Sequence, residues 1–270
     1  MKQNAMKKYF NYGEGRIHYS DLGSGTVIVL IHGYLETSEV WSSFARKLAG
    51  KFRVISVDLP GHGRSDIFGG IHTMEFMATA IRDLCENLGL KKIFLAGHSM
   101  GGYVTLAFAD IFPEMLSGYC LFHSHPFADS PEVIKKRKFE IRLVKAGKKE
   151  MFFTDSLSKM WGTPNLEKFR DALKRSKKIS SSIPGEAIIS VLNGMMERPS
   201  RLSTMERGRV PCLWILGAMD NYINCGQIQT KIRLPGNAEV CILKNSGHMG
   251  FIEEEEVSLE VLKVFVEKSS

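Results

Sequence analysis

The 270-residue chain has few cysteines, few prolines and no long apolar run, and each shortage removes a class of protein. Its five cysteines, Cys85, Cys120, Cys212, Cys225 and Cys241, are odd in number, widely spaced and set mostly among apolar residues. That pattern fits neither a disulfide framework nor a zinc site, and reads as small buried hydrophobes in a reducing compartment. Nine prolines and 25 glycines, without a repeat or low-complexity tract, exclude a fibrous or disordered chain. Apolar runs such as TVIVLI at 26–31 are far shorter than the ~20 residues a membrane helix needs, so no membrane partner is expected. The opening MKQNAMKKYF carries lysines but lacks the apolar stretch and small-residue cleavage site of a secretory leader. The expected location is cytoplasmic.

What the chain does have is 44% hydrophobic residues, enough for a large core, and a net charge of +7 that is unevenly placed. Residues 123–200 hold 16 basic and 9 acidic residues, whereas 1–122 hold 12 and 11 and 201–270 hold 8 and 9. The excess therefore sits in the middle of the chain, where basic residues alternate with acids at helical spacing. This is the pattern of solvated helix faces, and no nucleic-acid partner is expected. The run Lys135, Lys136, Arg137 and Lys138 is read in the same way, as the solvated face of a helix, although it would also suit steering of an anionic substrate.

Strand-like and helix-like segments alternate along 1–122: strands at 15–22, 26–31, 52–57, 92–96 and 117–122, and helices at 37–48, 73–88 and 100–112. The alternation returns after 201, with strands at 210–216 and 239–243, a helix near 225–232 and a closing helix at 253–266 whose apolar face is Val257, Val261, Val264 and Phe265. Strands alternating with helices predict a mostly parallel, doubly wound α/β sheet covered on both faces. Residues 123–200 carry only helix signals, such as Ser130-Pro131 at a helix start, and are expected to form a helical lid inserted into a core of 1–122 and 201–270.

The chemistry centres on Gly97-His98-Ser99-Met100-Gly101, between the strand 92–96 and the helix 100–112. A serine on a sharp strand-to-helix turn has its hydroxyl lifted above the sheet, and glycines two positions either side leave room for that turn. The hydroxyl needs a base and the base an orienting acid. Asp220 and His248 follow later strands, at the carboxyl edge where the loops of a parallel sheet meet. Asp129 is a second candidate for the acid. Backbone amides for an oxyanion would come from Met100 and from Tyr34 in His32-Gly33-Tyr34. His98, His123, Phe152, Phe153 and Trp161 are candidate substrate-binding residues. His123-Ser124-His125 lacks further ligands at metal spacing, so no metal is expected and no cofactor is required.

With these motifs and the loop Asp58-Leu59-Pro60-Gly61-His62-Gly63-Arg64-Ser65, the chain resembles the α/β-hydrolase fold family, in its lidded, esterase-like form. The resemblance spans 15–122 and 205–268. It implies that Ser99 is the nucleophile, His248 the general base, Asp220 its partner, and Tyr34 and Met100 the oxyanion amides. A serine in place of aspartate at the elbow disfavours epoxide hydrolase and dehalogenase activity. The expected function is hydrolysis of a small to medium carboxylic ester, with a small-molecule ester as partner. The alternatives are a thioesterase or carbon–carbon bond hydrolase acting on an anionic metabolite, or a non-catalytic receptor on the same fold.

Overall fold

The computed structural model describes residues 8–269, apart from the side chains of residues 152, 154 and 155. Its elements in chain order are β1 (Lys8–Tyr12), β2 (Gly15–Leu22), β3 (Val27–Ile31), α1 (Ser42–Leu48), β4 (Arg53–Val57), α2 (Met74–Asn87), β5 (Ile93–His98), α3 (Met100–Ile111) and β6 (Leu116–Phe122). Four helices follow, α4 (Pro131–Lys145), α5 (Glu150–Lys159), α6 (Arg170–Ser182) and α7 (Gly185–Glu197), then a short α8 (Leu202–Glu206). The chain then returns to the sheet with β7 (Cys212–Gly217), α9 (Cys225–Gln229), β8 (Ala238–Leu243), α10 (Gly250–Glu253) and α11 (Glu255–Lys268).

The eight strands form one sheet in the order β1-β2-β4-β3-β5-β6-β7-β8. The pairings from β4 onward are parallel, and only β1–β2 and β2–β4 are antiparallel. Alternation along the central strands divides their side chains between two layers. Val29, Ile31, Leu95 and Leu121 face the α2–α3 side, while Ile28, Leu30, Phe94 and Phe122 face the α1–α11 side. A strand with both faces buried must be apolar at every position, as the fully buried VIVLI of β3 is. Both apolar layers continue into the segment that carries α4–α7, through Val144, Leu157 and Val191 on one side and Trp161 and Ala172 on the other.

Two expectations change. The first strand expected from the sequence is 15–22, and β1 precedes it. It is half-buried, with alternating exposure, and is held at the sheet edge as a hairpin with β2 across Gly13, whose φ is +52°. The apolar face of the last helix is also rotated. Val257 and Val264 are exposed, and Ser258, Leu259, Leu262, Phe265 and Val266 are buried. The backbone breaks at Glu254, so the α11 register is set by Leu259 and Leu262 seating against the sheet rather than by the valines. No helix among the described residues is long and apolar enough to cross a membrane.

Candidate active site

Ser99 joins β5 to α3 with φ +50° and ψ −112°, a conformation side chains rarely adopt. The turn survives because its neighbours close on bare backbone. A Cβ on Gly97 would lie 2.2 Å from the Gly101 carbonyl oxygen, and one on Gly101 would lie 2.6 Å from the carbonyls of both Ile31 and His32. The Ser99 amide donates to Phe122 O at 2.9 Å, and its carbonyl accepts from Ser124 Oγ at 2.7 Å. The strained residue is therefore tied to the end of β6.

The His248 ring meets Asp220 through Nδ1 and Oδ2 at 2.7 Å. The other carboxylate oxygen of Asp220 accepts the amides of Tyr222 at 2.7 Å and Ile223 at 3.0 Å. Burial of Asp220 opposes its ionisation, but the charge and hydrogen bond of His248, with His123 close by, outweigh it and hold the carboxyl far below the ordinary range. For His248 burial opposes the cation, and the charge and hydrogen bond of Asp220 overcome it, raising the imidazole above its ordinary value. The loop carrying His248 is fixed by Glu253, which accepts the Gly247 amide at 2.9 Å and the Gly162 amide at 2.9 Å. Glu254 accepts Ser246 Oγ at 2.7 Å. Of Glu253–Glu256, with which the expected helix at 253–266 would begin, the first two are thus loop anchors, and only Glu255 and Glu256 lie in the first turn of α11.

Ser99 and His248 share a cavity of about 390 Å³ with Tyr34 and Met100. The Tyr34 and Met100 amides donate to no acceptor among the described residues. The turn that presents Tyr34 is closed by Leu35 at φ +61°. Leu35, Leu157, Met160, Met195 and Ile223 make the apolar wall. The opposite wall is one stripe of α4, Val133, Lys136, Arg137 and Glu140, at the i, i+3, i+4, i+7 spacing of a helix face. This corrects the reading of Lys136 and Arg137 as part of a purely solvated face.

The substrate-binding candidates fare differently from the triad candidates. His98, His123, Phe153 and Trp161 are all buried and none lines this cavity. His98 turns beneath the loop to Glu36 and the His248 carbonyl, and Trp161 stacks on Phe169 with ring centroids 5.6 Å apart. Phe153 packs into the apolar layer on the α2–α3 side, and the Phe152 side chain lies outside the described residues. His123 approaches Asp220 with Nδ1 at 3.4 Å while its Nε2 accepts the Gly250 amide at 3.1 Å. Burial first, with His248 and His98 nearby, pushes it down to about 4, so it stays neutral. Ligand atoms of His123, Asp220 and His248 lie within 4.8 Å of one another, but all three are engaged in this network. His125 diverges to Tyr103 Oη at 3.2 Å, so the His-x-His pair does not converge. Asp129 is not the acid facing His248. It joins Arg137 at Oδ1 at 3.2 Å and Arg198 at 2.7 Å, linking the start of the helical segment to its end.

Glu36 and Glu253 are the anchors that sequence reasoning missed. The only available signal was position: Glu36 lies three residues after Gly33, whose amide it accepts at 2.6 Å.

Comparison with known proteins identifies the fold. A thermophilic esterase from Thermogutta terrifontis, solved with malate bound, superposes with a TM-score of 0.92 at 26% identity, covering 98% of this chain and 99% of that one. The enol-lactonase from Burkholderia xenovorans superposes with a TM-score of 0.87 at 20% identity, covering 96% of this chain and all of that one. Among curated sequences, a 2-hydroxy-6-oxononadienedioate/2-hydroxy-6-oxononatrienedioate hydrolase of Paraburkholderia phymatum is 38% identical over 122 residues, 41% of this chain and 42% of that protein. An uncharacterized protein of Mycobacterium tuberculosis is 40% identical over 94 residues, 35% of this chain and 28% of that protein, so each of these two curated relatives is matched over less than half its length. The description "alpha/beta hydrolase fold" matches over residues 26–255, most of the chain, which is thus a member of the alpha/beta hydrolase fold family.

Proposed function

We propose that the chain is a serine hydrolase that cleaves small to medium carboxylic esters through an acyl-enzyme on Ser99. The observation that carries the reading is the convergence of the strained Ser99 and the His248–Asp220 pair on one cavity with two unoccupied amides. His248 takes the Ser99 proton as the hydroxyl attacks the ester carbonyl, and Asp220 holds the ring orientation and stabilises the imidazolium. The Tyr34 and Met100 amides receive the oxyanion. Collapse expels the alcohol, protonated by His248, and water activated by the same ring releases the acid. The helices α4–α7 act as the lid, and a cavity of about 390 Å³ lies at the small end of the ligand-pocket range, which suits a small to medium substrate.

Lys136 on the cavity wall favours a second reading, a thioesterase or carbon–carbon bond hydrolase whose substrate carries an anionic group. One experiment addresses both. Wild type, Ser99→Ala and His248→Ala are labelled with a fluorophosphonate and assayed on p-nitrophenyl esters, each acyl chain offered with a terminal methyl and with a terminal carboxylate. Labelling and turnover in the wild type alone support the serine mechanism, and their absence in folded wild type refutes it. A KM advantage for the carboxylate member that vanishes in Lys136→Gln selects the second substrate class.

A further inference from the structure

His98 has a completely buried ring, and both of its nitrogens meet acceptors. Nδ1 lies 2.9 Å from Glu36 Oε2, and Nε2 lies 2.8 Å from the His248 backbone carbonyl oxygen. A carbonyl oxygen only accepts, so Nε2 must carry a proton. The same Glu36 oxygen accepts the Gly33 amide at 2.6 Å, the short length of a bond to an anionic oxygen. With the carboxylate ionised, Nδ1 must carry a proton as well. A neutral ring, with one N–H, would leave one of these buried acceptors unmet. Gly33 completes the fit: a Cβ there would lie 2.9 Å from both Glu36 Oε2 and His98 Nδ1, so the pair closes against bare backbone.

We propose that His98 is cationic, donates from both ring nitrogens, and forms with Glu36 a buried ion pair that positions the Tyr34 turn and the His248 loop around Ser99. Its neighbours leave Glu36 as its counter-ion. His248 and His123 approach with ring centroids at 5.0 and 6.2 Å, and Trp41 and Phe251 close the remaining sides at 6.4 and 5.0 Å. The Asp220 carboxylate is bonded to His248 and two backbone amides. One pair therefore ties the residues expected to supply the oxyanion amide, the nucleophile and the base. His98 and Glu36 are positioning residues, and their kinetic effect rests on the serine-hydrolase reading, whereas the protonation state does not.

The test has two independent arms. Histidine nitrogen NMR of the full-length protein at neutral pH, with the His98 signals assigned by their loss in His98→Gln, is expected to show both nitrogens protonated. One unprotonated His98 nitrogen overturns the ion pair, because the shared proton then sits on Glu36 or is absent. In the second arm, the amide nitrogen of Asn takes the place of Nδ1 and that of Gln the place of Nε2. His98→Asn loses the bond to the His248 carbonyl, so kcat is expected to fall roughly 10–100-fold at little-changed KM, while His98→Gln falls less. His98→Gln should also lower the melting temperature, because it leaves the Glu36 charge buried and unpaired, and adding Glu36→Gln should restore part of that loss. Equal kcat in both His98 variants, or strictly additive melting shifts, overturns the positioning claim. If both nitrogens are protonated but Ser99 neither labels nor turns over esters, the functional reading fails and the ion pair stands.

Discussion

Acid should destabilise this fold before its carboxylates titrate, because it buries histidines that have no way to accept a second proton. His62 and His123 are the two clearest. His62 Nδ1 faces the Pro60 carbonyl at 3.1 Å while its Nε2 is buried without a partner among the described residues, and His123 Nε2 is the acceptor of the Gly250 amide. Protonating either nitrogen buries an unmet charge or breaks a backbone hydrogen bond. Burial is the first cause of both shifts, and the rings titrate at about 3 and about 4, against an ordinary value of 6.5. Because the folded values lie below the unfolded one, the stability these rings contribute is fully present above about pH 6.5 and is lost as pH falls toward the folded values. Over that range the excess of protons on the unfolded chain grows from about half to about one per ring, which costs up to about 1.4 kcal/mol per ring per pH unit. From pH 6.5 to about pH 5 the two rings together remove about 3 kcal/mol, a large share of the stability of a marginal domain. His248, raised rather than lowered, and the His98 cation proposed above work in the opposite direction and offset part of this. Urea unfolding followed by circular dichroism from about pH 7.5 to about pH 5 should show the free energy falling steeply below 6.5. His62→Gln, which cannot titrate, should flatten the slope by up to about 1.4 kcal/mol per pH unit. A wild type with level stability over this range, or a His62→Gln variant with the wild-type slope, refutes the reasoning.

Three further outcomes follow from the site. Asp220→Asn removes the charge that raises His248 and orients its ring, so ester turnover should fall by roughly 10⁴-fold, with the acid limb of the kcat/KM profile moving to lower pH. A loss under tenfold, read by initial rates, would mean that another group orients the base. Tyr34→Phe removes a buried hydroxyl that has no partner among the described residues and leaves the backbone amide in place, so stability should rise by about 1 kcal/mol in urea titration while kcat for neutral esters stays within a few-fold. Destabilisation would show that the hydroxyl is bonded after all. Gly101→Ala drives a Cβ to 2.6 Å from the carbonyls of Ile31 and His32, so it should cost about 1–3 kcal/mol and abolish fluorophosphonate labelling, and normal labelling would contradict the tightness of the elbow.

The central fold was legible because burial on both faces leaves a strong mark. A strand such as Val27–Ile31 can hold only apolar residues, and a serine between Gly97 and Gly101 needs those glycines for steric reasons that sequence states directly. The elements that escaped are those whose position depends on partners distant in sequence. β1 is a half-buried edge strand given its place by β2, and the α11 stripe is chosen by the surface it packs on rather than by which residues are most apolar. The same division runs through the site. Asp220 and His248 sit just past strand ends, where topology predicts them, and the fold brings their side chains within hydrogen-bond distance. The aromatic residues and histidines assigned to substrate were chosen for chemistry alone, and burial puts His98, His123, Phe153 and Trp161 into supporting roles. Lys136, Arg137 and Glu140 carry the sequence mark of a surface face, because charge at helical spacing normally means solvent, and a helix lying over a cavity leaves the same trace in sequence. Glu36 was invisible for a stronger reason. Its meaning depends on a histidine 62 positions away that is itself held by a carbonyl 150 positions further on, and only the folded chain brings those three atoms together.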